Sequence, residues 1–153
     1  MNQPKRIHKT TLRVPFSDVD MVGIVYTPKF VDYILKGWED YFRALGIPWE
    51  SYLGTDRIKG LRVISLNLKF KSPAWDGDEI EIITRISKLT RKRIYFQFEL
   101  LHKEEKRLIA AGSLVVTAFD QNNRPTHIPD FIIGAINGKK EVRNRRLGKY
   151  PYF

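Results

Sequence analysis

The 153-residue chain contains no cysteine. That excludes a disulfide framework, a thiol nucleophile and any thiolate-ligated metal, and it fits a reducing compartment. Long apolar runs are missing as well. No stretch approaches the roughly 20 apolar residues of a membrane span, and the opening MNQPKRIHKTTLRV has no apolar run of signal-peptide length. A soluble cytoplasmic protein is therefore expected. Histidine is scarce, with His8, His102 and His127 standing far apart, and there is no glycine-rich phosphate loop, paired-histidine motif or Gly-x-Ser-x-Gly elbow. The expectation is a site that uses neither a metal nor a tightly bound cofactor.

Acidic residues are also in short supply: Asp and Glu number 17 against 27 Lys and Arg, for a net charge of +10. The imbalance is not spread evenly. Residues 1–13 hold four bases and no acid, and residues 138–153 hold six bases and one acid, which leaves a net charge of +1 on residues 14–137. Basic ends on a nearly neutral body are a poor match to a nucleic-acid binder, which carries its charge in a stripe interleaved with exposed aromatics. RNA binding through the tails stays as an alternative. The length suits one domain, and 42% hydrophobic with 29% charged residues is the composition of a packed globular protein. A single domain over 1–153, with a basic tail from about residue 138, is expected.

Periodicity supplies the architecture. Arg13, Val14, Pro15 and Phe16 read as a first strand running into a loop. Phe30, Tyr33, Ile34, Trp38, Tyr41, Phe42 and Leu45 then recur at spacings of three, four and seven, which predicts a helix over 28–45 with one broad apolar side. Pro28 suits the first turn and Gly46 the left-handed residue past the end. A short helical piece is expected over 49–53. From there the period changes to two. Ile64, Leu66, Leu68 and Phe70, then Ile80, Ile82, Thr84 and Ile86, then Ile94, Phe96, Phe98 and Leu100 alternate with polar residues, and a last apolar strand spans 108–119. Ala110, Ala111 and Gly112 mark close packing or a bulge in that strand, and residues 129–137 read as a short helix. The turn-like separators favour hairpins, so the fold class is α+β: a five-stranded antiparallel sheet with one long helix on its concave face.

Chemistry concentrates in the segment FSDVDMVGIVYTP. Asp18 and Asp20 lie two apart, Gly23 lets backbone approach a ligand, and the run feeds a helix start whose free N–H groups favour an anion. Pro28 cannot donate, so Thr27 is the amide available to a carbonyl oxygen. A plain turn, with the Asp side chains accepting backbone hydrogen bonds, accounts for the same residues.

The run Phe16-Ser17-Asp18-Val19-Asp20-Met21-Val22-Gly23-Ile24-Val25-Tyr26, followed by an aromatic-rich helix and antiparallel strands, resembles the hot-dog-fold acyl-CoA thioesterases of the 4-hydroxybenzoyl-CoA thioesterase type. The resemblance covers residues 9–129. It implies the hot-dog fold, hydrolysis of an acyl-CoA thioester, Asp20 as nucleophile or general base, and the Thr27 amide as oxyanion donor. It also implies substrate contacts at Gly23, Tyr26 and Asn67, coenzyme A phosphates on Arg91, Lys92 and Arg93, and a homodimer or homotetramer with sites at the subunit interface. Coenzyme A would be part of the substrate, with no further cofactor. Thr27 stands where one branch has histidine, which weakens any mechanism with a histidine-activated water. Hot-dog domains also serve as hydratases and as non-catalytic acyl-CoA binders. A hydratase needs an Asp and His a few residues apart, which this chain lacks near Asp20, and the binder remains the main alternative.

Overall fold

The computed structural model describes residues 6–54 and 58–139. Most of the basic tail, and with it the expected charge excess at that end, lies outside them. The long helix α1 (Lys29–Ala44) follows strand β1 (Ile7–Arg13), and β2 (Gly60–Phe70), β3 (Glu79–Leu89), β4 (Arg93–His102) and β5 (Leu108–Phe119) come after it. A two-residue strand β6 (Pro125–Thr126) and a short helix α2 (Asp130–Ile136) close the described chain. All strand pairs are antiparallel, in the spatial order β1-β3-β4-β5-β2, with β6 added on β5. This is the expected five-stranded sheet around one helix, with β6 as an unforeseen appendage.

The first strand lies earlier than the sequence pattern placed it. β1 ends at Arg13, opposite Glu79, because Pro15 has no N–H with which to continue the ladder. Phe16–Asp18 instead form a single 3-10 turn. The piece expected over 49–53 is likewise one 3-10 turn, Trp49–Ser51.

Helix α1 buries Phe30, Tyr33, Ile34, Gly37, Tyr41 and Phe42. Pro28 opens it at φ −61°, and Gly46, at φ +76°, ends it in the left-handed region. Gly37 sets how close the helix sits: a Cβ there would lie 2.7 Å from Thr84 Oγ1 and 2.8 Å from Ile82 Cγ2 on β3. The helix packs mainly over β1 and β3 and reaches β4 through Trp38 and Phe42, whose rings lie 5.7 and 5.9 Å from that of Phe96. The β5–β2 half of the sheet is left less covered.

That placement explains the main departure from the strand pattern. β2 was expected to bury one face, yet Val63, Ile64, Leu66 and Phe70 are 41, 44, 41 and 49% exposed. β2 is an edge strand at the margin of the helix, so these four side chains are only partly covered within the chain, Phe70 by the ring of Phe30 at 5.3 Å. A bulge lies between Val63 and Ser65, which pair with the consecutive residues Val116 and Val115 and leave Ile64 without a partner in the ladder.

The outer face of the sheet is polar and contains one buried carboxylate. Glu81 accepts a hydrogen bond from Lys106 Nζ at 2.7 Å and pairs with Lys9 Nζ at 2.9 Å. These two ammonium groups, Lys106 first, hold its carboxyl down to about 2 from an ordinary 4.5. A carboxyl with a depressed folded-state pKa stabilises the fold above its unfolded pKa and loses that contribution as pH falls towards the folded value. The urea midpoint should therefore decline between about pH 4.5 and 2, and Glu81→Gln should flatten that part of the curve while lowering the plateau at neutral pH.

Candidate active site

The loop between β1 and α1 is fastened at both ends. Val14 N–H donates to Asp78 O at 2.9 Å, and Tyr26 N–H donates to Asp18 O at 2.8 Å. Between them Val19 and Val25 form an isolated antiparallel bridge, and the chain reverses through Asp20-Met21-Val22-Gly23. Gly23 stands at φ +89°, a conformation that a side chain would strain.

The two carboxylates hold different positions. Asp18 is fixed: its Oδ2 accepts from Tyr33 Oη at 2.8 Å, Lys29 Nζ stands 3.7 Å from Oδ1, and only 15% of its side chain is exposed. Burial, and then the Asp18 carboxylate, push the Tyr33 phenol far above its ordinary range, so it stays a donor. Asp20 sits exposed at the loop tip. Its Oδ1 accepts the Val22 N–H at 2.8 Å, its backbone N–H donates to Ile24 O, and its carbonyl accepts from Gly23 N–H. Oδ2 has no hydrogen-bond or ion-pair partner among the described residues. The two-apart spacing thus yields one structural carboxylate and one with a free oxygen.

At the helix start, Lys29 N–H donates to Tyr26 O at 2.8 Å and Thr27 O accepts from Phe30 N–H at 3.2 Å. The Thr27 N–H has no partner among the described residues, and Pro28 has no N–H. One unused donor therefore lies at the positive end of a 16-residue helix. Along the loop Phe16, Met21, Val22 and Tyr26 are exposed, and so is Trp75. Trp75 bridges to Ile24, and its ring lies 3.8 Å from where a Gly23 Cβ would be. Trp75 does not stand out in the sequence because it falls in a turn-like stretch of Pro, Asp and Gly. A large aromatic in such a segment was the available signal.

The other expected site residues are placed elsewhere. Asn67 pairs with Ser113 in register with Gln97 and Arg85, on the sheet face away from α1. Arg91, Lys92 and Arg93 occupy the β3–β4 turn, exposed, with no acidic partner among the described residues. Thr90 Oγ1 shapes that turn by accepting the Arg93 N–H at 3.0 Å. The turn lies at the Leu89 end of β3 and the Asp20 loop at the Glu79 end, and 11 residues of strand span roughly 35 Å. Within one chain, the structure does not bring the basic turn to the loop.

A free carboxylate oxygen and a free amide donor at a helix start are parts suited to acyl transfer, and comparison with known proteins agrees. The profile of the thioesterase-like superfamily matches residues 14–136. The chain belongs to that superfamily. Its match spans the loop, α1 and all of the sheet after β1. Among curated relatives, the chloroplastic acyl-acyl carrier protein thioesterase ATL3 of Arabidopsis thaliana is 26% identical over 125 residues, which cover 82% of this chain and 65% of that one. The chain thus spans just under two thirds of that relative. Among solved structures, a 1,4-dihydroxy-2-naphthoyl-CoA thioesterase from Synechocystis superposes with a TM-score of 0.80 at 18% identity, over 85% of this chain and 95% of that one. The 4-hydroxybenzoyl-CoA thioesterase of a Pseudomonas strain gives 0.76 at 23%, over 85% and 99%. These likenesses establish the hot-dog fold for this thioesterase-like chain.

Proposed function

We propose that the protein hydrolyses an acyl-CoA thioester to a carboxylic acid and coenzyme A in the cytoplasm, without a cofactor. The observation that carries this reading is the pairing, within one short loop, of an exposed carboxylate with a free oxygen and an unpaired amide at the start of α1. With the thioester carbonyl on the Thr27 N–H, charge developing on its oxygen meets that amide and the helix dipole, and one such donor is typically worth about 3–4 kcal/mol. Asp20 either attacks the carbonyl carbon, giving a mixed anhydride that water then cleaves, or takes a proton from an attacking water. In both routes the C–S bond breaks and coenzyme A leaves as its thiolate. Gly23 lets the loop backbone lie close to the substrate, and Tyr26 flanks it.

The reading includes a homodimer formed through β2, alone or as half of a tetramer. An 11-residue edge strand with four half-exposed apolar side chains is a ready surface for strand addition. Antiparallel pairing of β2 with its copy also resolves the separation of the basic turn. It brings the partner's β3–β4 turn to the end where Phe30, at the start of α1, lies 5.3 Å from Phe70. Three strand spacings, about 15 Å, then separate β2 from the partner's β4, against roughly 35 Å along one chain. In that arrangement a basic turn from one subunit serves coenzyme A phosphates at the loop of the other.

Thiol release from a panel of acyl-CoAs tests the activity. Turnover is expected, whereas stoichiometric binding with no thiol released would assign the chain as a non-catalytic acyl-CoA binder. Sedimentation should show at least twice the chain's 18.0 kDa, and a monomer at assay concentration would remove the shared site.

A further inference from the structure

Helix α1 carries a second apolar stripe beside its buried one. Pro28, Val31, Leu35, Trp38 and Phe42 recur at spacings of three and four, which aligns them on one flank. The flank starts beside the Thr27 amide. It ends at a cavity of about 310 Å³ lined by Leu35, Trp38, Glu39, Phe42, Trp49 and Tyr52, a volume at the lower end of small-molecule sites.

The walls are firm and mostly apolar. Phe42 stands edge-on to Tyr52 at 6.2 Å and to Trp38 at 5.9 Å, and Phe96 backs both Trp38 and Phe42. Glu39 is the charged lining residue, and Arg43 stands 3.4 Å from it. Trp38 Nε1 is buried there without a hydrogen-bond partner, and the remaining surface is mostly aromatic and aliphatic carbon, which suits hydrocarbon, whose burial is favourable over its whole length.

The distance from helix start to cavity selects among acyl groups. From Pro28 to Trp38 the helix advances about 15 Å. A staggered hydrocarbon chain advances roughly 1.3 Å per carbon, so about twelve carbons connect a carbonyl at the Thr27 amide to the cavity. An aryl group attached directly to the carbonyl would stop near Val31 and leave the cavity unfilled. We propose that this cavity receives the far end of a linear acyl chain of about 10–14 carbons laid along the 28–42 flank of α1. The carbonyl end of this assignment rests on the thioester-hydrolase reading; the apolar end rests on the cavity alone.

Two measurements keep those parts separate. Calorimetric titration of the resting protein with dodecanoate should show saturable binding, weakened about tenfold by Leu35→Trp, which obstructs the flank, and by Trp49→Ala, which removes a wall. In turnover, kcat/KM should rise at least about tenfold from butyryl-CoA to dodecanoyl-CoA, and both variants should bring that ratio close to one. Trp49→Ala lies outside the helix and serves if Leu35→Trp fails to fold. A flat chain-length profile, with benzoyl-CoA as good as dodecanoyl-CoA, would overturn the acyl-chain assignment and leave the hydrolase reading standing. Dodecanoate binding that both variants weaken, with no thioester turned over, would overturn the hydrolase reading and leave the cavity assignment standing. Absence of both dodecanoate binding and chain-length gain would remove the proposal altogether.

Discussion

Asp20→Asn is expected to lower kcat for acyl-CoA hydrolysis by roughly 10²–10⁴-fold, the range for loss of a positioned base, with the protein still folded. The substitution is well matched to the question because Asp20 holds the loop through an acceptor, not through its charge. Its Oδ1 takes the Val22 N–H at 2.8 Å, and an asparagine oxygen can do the same. The backbone bonds to Ile24 and Gly23 are untouched. What disappears is the anionic oxygen that no described residue engages. Steady-state thiol release, with circular dichroism and thermal melting as the folding control, checks the result, and near-full activity would dismiss Asp20 from the chemistry. Asp18→Asn should act differently. It weakens the tie to Tyr33 and Lys29, so its effect should appear in loop order and KM as well as in kcat.

Gly112→Ala should cost about 3 kcal/mol or more, which for a chain of this size lowers Tm by roughly 6–12 °C. Gly112 lies in β5 between Leu68 of β2 and Phe98 of β4. A Cβ at this position would run into the carbonyl oxygen of Asn67, with Leu68 Cδ2 2.7 Å away. A leucine side chain can turn aside, but a ladder carbonyl cannot move without opening the β2–β5 pairing. The double variant Gly112→Ala with Leu68→Ala should therefore recover none of the loss. Full recovery on thermal melting would place the obstacle in the side chain instead.

Legibility in the sequence followed local physics. Helix α1 was readable because one side of it is dry from Phe30 to Phe42 and Pro28 and Gly46 bound it. β3 and β4 were readable because the helix and their neighbours cover one face, so the period of two is intact. β2 shows the same period, yet its exposure depends on being last in the strand order, which no spacing of its own residues records. Its bulge also makes Ile64 a residue outside the ladder, although it counts as a member of the alternating row. Gly112 announced a close approach but not what approaches. In the loop, the residue types offered two carboxylates and a helix-start amide, while the division between a tethered Asp18 and an available Asp20 required Tyr33, fifteen residues on. The distance between Asp20 and the Arg91–Arg93 turn follows from strand direction and could not be seen in a linear chain.

The bulge at Ile64 has a consequence for symmetry. Pairing of β2 with its own copy needs regular strand, and beyond the bulge residues 65–70 provide about 20 Å of it. Opposed residues of an antiparallel pair share one side of the sheet, so in the proposed dimer a twofold axis near the middle of that stretch falls at Asn67 or at Leu68, and that side chain faces its own duplicate. A charge introduced there would be opposed by the same charge, and any single substitution would enter the interface twice.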